Sequence, residues 1–194
     1  MKAILCKEYG PAEKLVIEEV PSPEVKGRGV KVRVKAAGLN FPDTLIIENK
    51  YQLKPSLPFS PGGEMAGEVI EVGDKVTRFK VGDRVAGLTG YGAFAEEVIV
   101  PEQNLLPVPD GMSDEKAAAF TMVYGTSYYA LKQRGNLQPG ESLLVLGASG
   151  GVGLATVELG KAMGAKVIAA DSSAEKLAVA KEAGADELIN YAEE

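Results

Sequence analysis

Gly147, Gly150 and Gly153 stand three residues apart, with Ser149, Gly151 and Val152 between them, and Asp171 follows 18 residues after Gly153, near the spacing of about 20 that a dinucleotide fold uses. These residue types suit a dinucleotide. A diphosphate seeks main-chain N–H groups and the positive end of a helix dipole. Glycines let the main chain come close to it with no Cβ in the way. An acid beyond them can accept hydrogen bonds from a ribose diol. The spacing is Gly-x-x-Gly-x-x-Gly rather than the plain Gly-x-Gly-x-x-Gly, and a glycine-rich turn can also serve tight packing.

The elements that must position these residues are legible around them. Leu143-Leu144-Val145-Leu146 lies between Gly140 and Gly147 and predicts a strand buried on both faces. Leu154, Val157, Leu159 and Met163 recur at helical spacing up to Gly164, a helix stop. A second apolar run, 166–170, ends in Asp171. Ser172-Ser173-Ala174-Glu175 has the form of a capping box and predicts a helix ending at Gly184. Residues 186–190 predict a third parallel strand. This is the first half of a doubly wound sheet, so the chain is expected to be truncated.

Residues 1 to about 110 read as β-rich. Strands are expected at 3–6, 14–20, 30–35, 65–72, 84–87 and 95–100, broken by Gly10-Pro11, Pro21-Ser22-Pro23 and Gly27-Arg28-Gly29. Many short strands with such turns predict a barrel-like β domain, with a short helix at 42–48. Ser113, followed by Asp114 and Glu115, should open a helical run to about Leu131. Gly125 interrupts it, so two helices or a kink are expected there. The tyrosines 124, 128 and 129 have the spacing of core positions.

Composition narrows the chemistry. The 194 residues are 45% hydrophobic and 25% charged, ordinary for a globular protein. No apolar run approaches the roughly 18 residues of a membrane helix, and the start lacks a secretory signal. A formal charge of −6 argues against nucleic acid or an anionic membrane as partner. The single cysteine, Cys6, admits no internal disulfide and fits a reducing cytoplasm. There is no histidine, so imidazole catalysis and conventional zinc sites are excluded from this chain.

The chain resembles the medium-chain dehydrogenase/reductases, and within them the zinc-free quinone oxidoreductase branch. The resemblance runs through all 194 residues. It is carried by AAGLNFPDTL (36–45), PGGEMAGEVIEVG (61–73), VGDRV (81–85), GAFAEEVIVP (92–101), VYGTSYYAL (123–131) and the glycine loop with Lys161. Glu158 departs from the family's usual glutamine. The resemblance implies a GroES-like β-barrel catalytic domain over 1–122 and a partial Rossmann dinucleotide-binding domain over 123–194, an α/β plus β architecture. Where zinc-dependent relatives carry cysteine and histidine, this chain has Asn40 and Gly63, and their third ligand position falls near Ala118. No metal site is therefore expected.

The family transfers hydride from a reduced nicotinamide to a quinone or to the β-carbon of an α,β-unsaturated carbonyl compound. The resemblance places Asn40 beside the nicotinamide, Tyr51 in the cleft and Asp43 in the same motif as Asn40, orienting the loop. Leu45 replaces a second tyrosine that some members use. Asn40 could equally satisfy turn backbone, and Tyr51 could be an ordinary half-buried aromatic. Glu64 is expected to be structural. Thr126 matches a residue near the cofactor. Ser172, Lys176 and Tyr191 match positions that embrace the 2′-phosphate of NADPH, whereas Asp171 favours the ribose of NADH. NADPH is expected, with NADH possible, and the whole protein is expected to be a homodimer. The alternative is a dinucleotide-binding fragment with no catalysis of its own.

Overall fold

The computed structural model describes residues 1–193. The acidic pair Glu193-Glu194, whose simplest reading from sequence is a solvated end, has its second member outside the described residues. The chain forms two compact units, Met1–Met122 and Val123–Glu194.

The first unit is built on alternation of apolar and polar residues. Strand β1 (Lys2–Leu5) pairs antiparallel with β2 (Val16–Glu19). The main sheet contains β3 (Gly29–Gly38), β4 (Glu64–Val72), β5 (Arg84–Leu88), β6 (Glu97–Pro101) and β7 (Leu105–Pro107). Its order is β6-β3-β4-β5-β7, with every pairing antiparallel. Val30, Val32, Met65, Val69, Val85, Val100 and Leu105 interlock on its inner side, each wholly buried. Burial of side chains of this size contributes roughly 1.5–3 kcal/mol each. Strand β7 was not legible in the sequence, because three residues ending in proline carry no period. Strand β6 begins at Glu97, and Ala95 makes only an isolated bridge to Ala3.

Two devices shape the sheet for the helices that follow. The β3–β4 register shifts between Val34 and Ala36, and there Gly67 faces the bulged strand. A Cβ at Gly67 would lie 2.1 Å from the Arg33 carbonyl oxygen, so only glycine fits. Helix α1 (Phe41–Ile47) then starts from Asn40, whose extended backbone and following Pro42 suit a helix entry.

Helix α2 (Asp114–Ala118) is capped by the Ser113 hydroxyl, which accepts from the Lys116 N–H. Helix α3 (Thr121–Tyr128) follows, and a π-helical turn continues it over Tyr129–Arg134. The expected break at Gly125 is corrected. Gly125 sits inside α3, and the chain turns earlier, at Ala119 and Phe120. Tyr128 and Tyr129 are also not core residues, being 46% and 51% exposed.

In the second unit β8 (Ser142–Leu146), β9 (Lys166–Asp171) and β10 (Glu187–Asn190) form a parallel sheet in the order β10-β9-β8. Helices α4 (Gly151–Ala162) and α5 (Ala174–Glu182) make the crossovers. Gly160 of α4 lies directly against Leu143 and Val167. The opposite face of β8 carries Leu144 and Leu146, 53% and 72% exposed. The reading of β8 as buried on both faces is therefore corrected: α4 covers the Leu143 and Val145 side. The cap of α5 is Ser173, one residue later than the capping-box pattern placed it, with its hydroxyl accepting from Lys176 N–H. Asp186 anchors the sheet by accepting from Lys161 Nζ at 2.6 Å and from the Val167 N–H at 2.7 Å.

These glycine environments predict opposite mutational signs. Gly67→Ala should destabilise the protein by at least about 2 kcal/mol, since backbone must move. Gly125→Ala, in a helix with nothing within 4 Å of its Cβ position, should stabilise it by about 0.5–1 kcal/mol. Thermal melts of the two variants check both signs.

Candidate active site

In the first unit, one turn brings three polar side chains together. Asn40 lies two residues past the end of β3 and caps α1. Its N–H donates to Asp43 Oδ2 at 2.8 Å, and its side-chain Nδ2 donates to Glu64 Oε1 at 2.8 Å. Glu64 is 1% exposed, and its other oxygen accepts from the Met122 N–H, at the start of α3. Asp43 is also buried and accepts from the main-chain N–H groups of Gly62 and Gly63. Burial pushes both carboxyls above their ordinary values, against the pull of these donors, and for Glu64 the nearby Asp43 charge adds to the rise. A cavity of about 210 Å³ lies here, lined by Asp43, Tyr51, Gln52, Gly63, Gly90 and Met122 among others. Tyr51 is half-buried and packs beside Phe59 and Ile47.

Asn40, Asp43 and Tyr51 thus share one region. Asn40 makes a helix entry and also holds a buried acid, so its turn role and its side-chain role coexist. One of its two amide hydrogens is spent on Glu64. Glu64 is the neighbour that sequence reasoning undervalued. Its signal was an acid standing between Gly62-Gly63 and the apolar Met65-Ala66. A Cβ at Gly38 would fall 2.3 Å from its Oε1, so that glycine makes room for it.

In the second unit the glycine loop joins β8 to α4. Gly147 has φ of +64°, which favours glycine. A Cβ at Gly153 would lie 2.3 Å from the Gly147 carbonyl oxygen. Gly150 is different. Its φ of −74° and ψ of 165° suit any residue, and a Cβ there meets only the Gly147 oxygen at 3.5 Å. The fold does not demand glycine at 150. The open space lies at the N-terminus of a 12-residue helix, where an anion is favoured. The Gly150 N–H already donates to the Gly147 carbonyl at 3.2 Å, so the loop fits a dinucleotide diphosphate that Gly151 and Val152 would meet with main-chain N–H groups and that Gly150 would let approach closely.

Helix α3 is fastened to this loop. The Ser127 hydroxyl donates to the Val152 carbonyl at 3.0 Å, and Thr156 donates to Ser127 Oγ at 3.0 Å. Thr126 beside it is exposed. The Tyr124 hydroxyl donates to Glu158, which pushes the phenol up.

Asp171, Ser172, Lys176, Tyr191 and Ser149 converge at the tip of β9. The Asp171 side chain points into the glycine loop and is buried. Its Oδ2 accepts from Ser149 N–H at 3.0 Å and Ser149 Oγ at 2.7 Å. Its Oδ1 accepts from Ser172 N–H at 2.7 Å, with Lys176 Nζ at 3.5 Å. The Ser149 donors, before all others, hold this carboxyl far below the usual carboxylate range. Lys176 is not simply solvated, since Nζ also donates to Ser172 Oγ at 3.1 Å. Tyr191 donates its N–H to the Asp171 carbonyl at 3.2 Å, and its ring is half exposed.

A zinc ion finds no fit. The chain has no histidine and one cysteine, buried Cys6. Asp43 and Glu64 are already met by N–H donors. Among the described residues no group of three or more Cys, Asp or Glu could hold a metal, and no helix is long and apolar enough to cross a membrane.

This geometry stands within a known family. Residues 26–110 match the model of the alcohol dehydrogenase GroES-like domain, and residues 151–194 match the zinc-binding dehydrogenase model. The chain is 46% identical to a quinone oxidoreductase-like protein 2 homolog of Nematostella vectensis, over 100% of this chain and 53% of that protein. It overlays a quinone oxidoreductase of Pseudomonas syringae with a TM-score of 0.94 and 44% identity, over 100% of this chain and 59% of that one. An Escherichia coli quinone oxidoreductase complexed with NADPH aligns with a TM-score of 0.93 and 36% identity, over 100% and 60%. The chain belongs to the quinone oxidoreductase branch of the medium-chain dehydrogenase/reductase superfamily. It spans about half the length of the curated relatives it matches.

Two outcomes follow. Gly150→Ala should fold with unchanged melting temperature yet weaken dinucleotide binding at least about tenfold in a calorimetric titration. Acidification should act on the units in opposite directions. Asp43 and Glu64 bind protons more tightly when folded, so the first unit should gain stability as pH falls from 7 toward 5. The contribution of Asp171 is full above its ordinary value of 3.8 and is lost as pH falls through its lower folded value. Urea unfolding at a series of pH values, with a probe in each unit, checks both trends.

Proposed function

We propose that this chain is the N-terminal part of an NAD(P)H-dependent, zinc-independent reductase of quinones or α,β-unsaturated carbonyl compounds. Residues 1–122 are its catalytic domain and 123–194 the first half of its dinucleotide domain. The observation that carries the reading is Gly150, a glycine that the fold does not need, at an anion-favouring helix start. The NADPH complex of the Escherichia coli relative supports it.

A bound reduced nicotinamide supplies the hydride. Thr126, Gly147, Ser149, Gly150, Gly151, Val152 and Gly153 hold the dinucleotide, with Ser172, Lys176 and Tyr191 at its adenosine end. NADPH is the proposed cofactor, with NADH as a second substrate. When hydride reaches the acceptor, negative charge grows on its oxygen and needs donors. The second amide hydrogen of Asn40 and the phenol of Tyr51 are those donors. Asp43 acts through orientation, since its oxygens take main-chain N–H groups. One proton is then taken up, leaving a hydroquinone or a saturated carbonyl compound.

The whole protein is proposed as a cytoplasmic homodimer acting on a small molecule, with neither nucleic acid nor membrane as partner. A second reading is favoured by the chain's length relative to its relatives: alone, it is a dinucleotide-binding fragment that does not turn over.

In the whole protein, NADPH oxidation by a simple quinone should persist in excess chelator. Asn40→Ala and Tyr51→Phe should each lower kcat at least about tenfold. Loss of activity to chelator would overturn zinc independence, and full kcat in both variants would overturn the roles given to these residues.

A further inference from the structure

An acid at the end of the second strand of such a sheet is ordinarily read as the ribose ligand that selects NADH. The surroundings of Asp171 point elsewhere. A carboxylate offers about four lone-pair sites. Asp171 already receives Ser149 N–H at 3.0 Å, Ser149 Oγ at 2.7 Å, Ser172 N–H at 2.7 Å and Ser172 Oγ at 3.4 Å. Its full inventory is spent on the chain itself. The side chain is only 3% exposed, and Lys176 Nζ stands 3.5 Å from Oδ1. A ribose diol could bond to this carboxylate only by evicting two donors. The nearby positive charge also offsets the field that would repel a 2′-phosphate.

The donors are placed where they matter to the loop. Ser149 is central in the 147–153 turn, and two of its hydrogens go to one oxygen of Asp171. The bond joins residues 22 apart in sequence, from the turn before α4 to the end of β9. Gly147 and Ala148 N–H groups also bond to the Ala170 carbonyl, the residue before Asp171. Thus the end of β9 holds the turn at three successive residues.

We propose that Asp171 is the clamp that shapes the glycine loop, a positioning residue for the diphosphate, and not the residue that chooses between NADH and NADPH. This rests on the reading of the second unit as a nicotinamide dinucleotide site. The clamp itself is a property of the free chain and can be tested apart from any nucleotide.

The test combines calorimetric titration with NADH and NADPH and amide hydrogen exchange of the free chain, for wild type and Asp171→Asn. An asparagine keeps the shape but cannot accept at both atoms. The expected result is that wild type binds both nucleotides within about threefold of each other. Asp171→Asn should weaken both by about tenfold or more at an unchanged ratio, with faster exchange at the Ser149 and Ser172 amides. A change of about tenfold in the ratio, with exchange at Ser149 unaltered, would overturn the proposal. If Asp171→Asn does not fold, Ser149→Ala removes one bond only: parallel weakening of both nucleotides supports the clamp, and selective loss of NADH overturns it. If wild type binds neither nucleotide, the cofactor reading of this chain fails. The exchange arm then decides the clamp alone: loss of Ser149 protection in Asp171→Asn upholds it, and retained protection refutes it.

Discussion

A carboxylate taken out of water must be met by donors, and in this chain the donors are mainly main-chain N–H groups. Asp43, Glu64, Glu102 and Asp171 are all buried. Asp43 takes the N–H groups of Asn40, Gly62 and Gly63. Glu64 takes Met122, Glu102 takes Thr77 and Arg78, and Asp171 takes Ser149 and Ser172. Each acid thereby organises a turn that has no ladder of its own. Among the described residues no buried side-chain polar atom lacks a partner, as expected where an unmet donor or acceptor costs about 1–3 kcal/mol.

The same device serves differently in the two units. In the first, Glu64 and Asp43 lack a cation within ion-pair distance among the described residues, and burial raises both. They fix the Asn40 turn, so that the one free amide hydrogen has a defined direction. In the second, Asp171 is compensated by five contacts, including Lys176, and stays ionised. Raised acids suit a site that handles charge on an acceptor, whereas a lowered acid suits a permanent structural anchor.

Glycine is the other half of the arrangement, and its reasons differ by position. Gly67 and Gly153 are glycine because backbone approaches backbone at 2.1 and 2.3 Å of a Cβ position. Gly38 makes room for Glu64, and Gly147 turns with a positive φ. At Gly150 none of these applies, which is why that residue speaks to a ligand rather than to the fold. A glycine-spacing motif cannot separate these cases, because the separation lies in the atoms around each Cβ.

The sequence by itself determined the β-rich first part and the strand–turn–helix–strand of the second, because periodicity, turn residues and glycine spacing are local. Strand β7 and the true turn at Ala119 lay below its reach, being too short or overridden by packing. It also could not tell that one face of β8 carries exposed Leu144 and Leu146, since an apolar run states that a strand is apolar and not what covers it. Only the tertiary structure decided where the polar side chains point. Asn40 meets an acid 24 residues away, and Asp171 turns toward Ser149 rather than outward. Both contacts join residues that chain connectivity alone leaves unrelated. The physical reason is that a side chain's direction is settled by the donors that desolvation forces upon it, and those donors are assembled only by the fold.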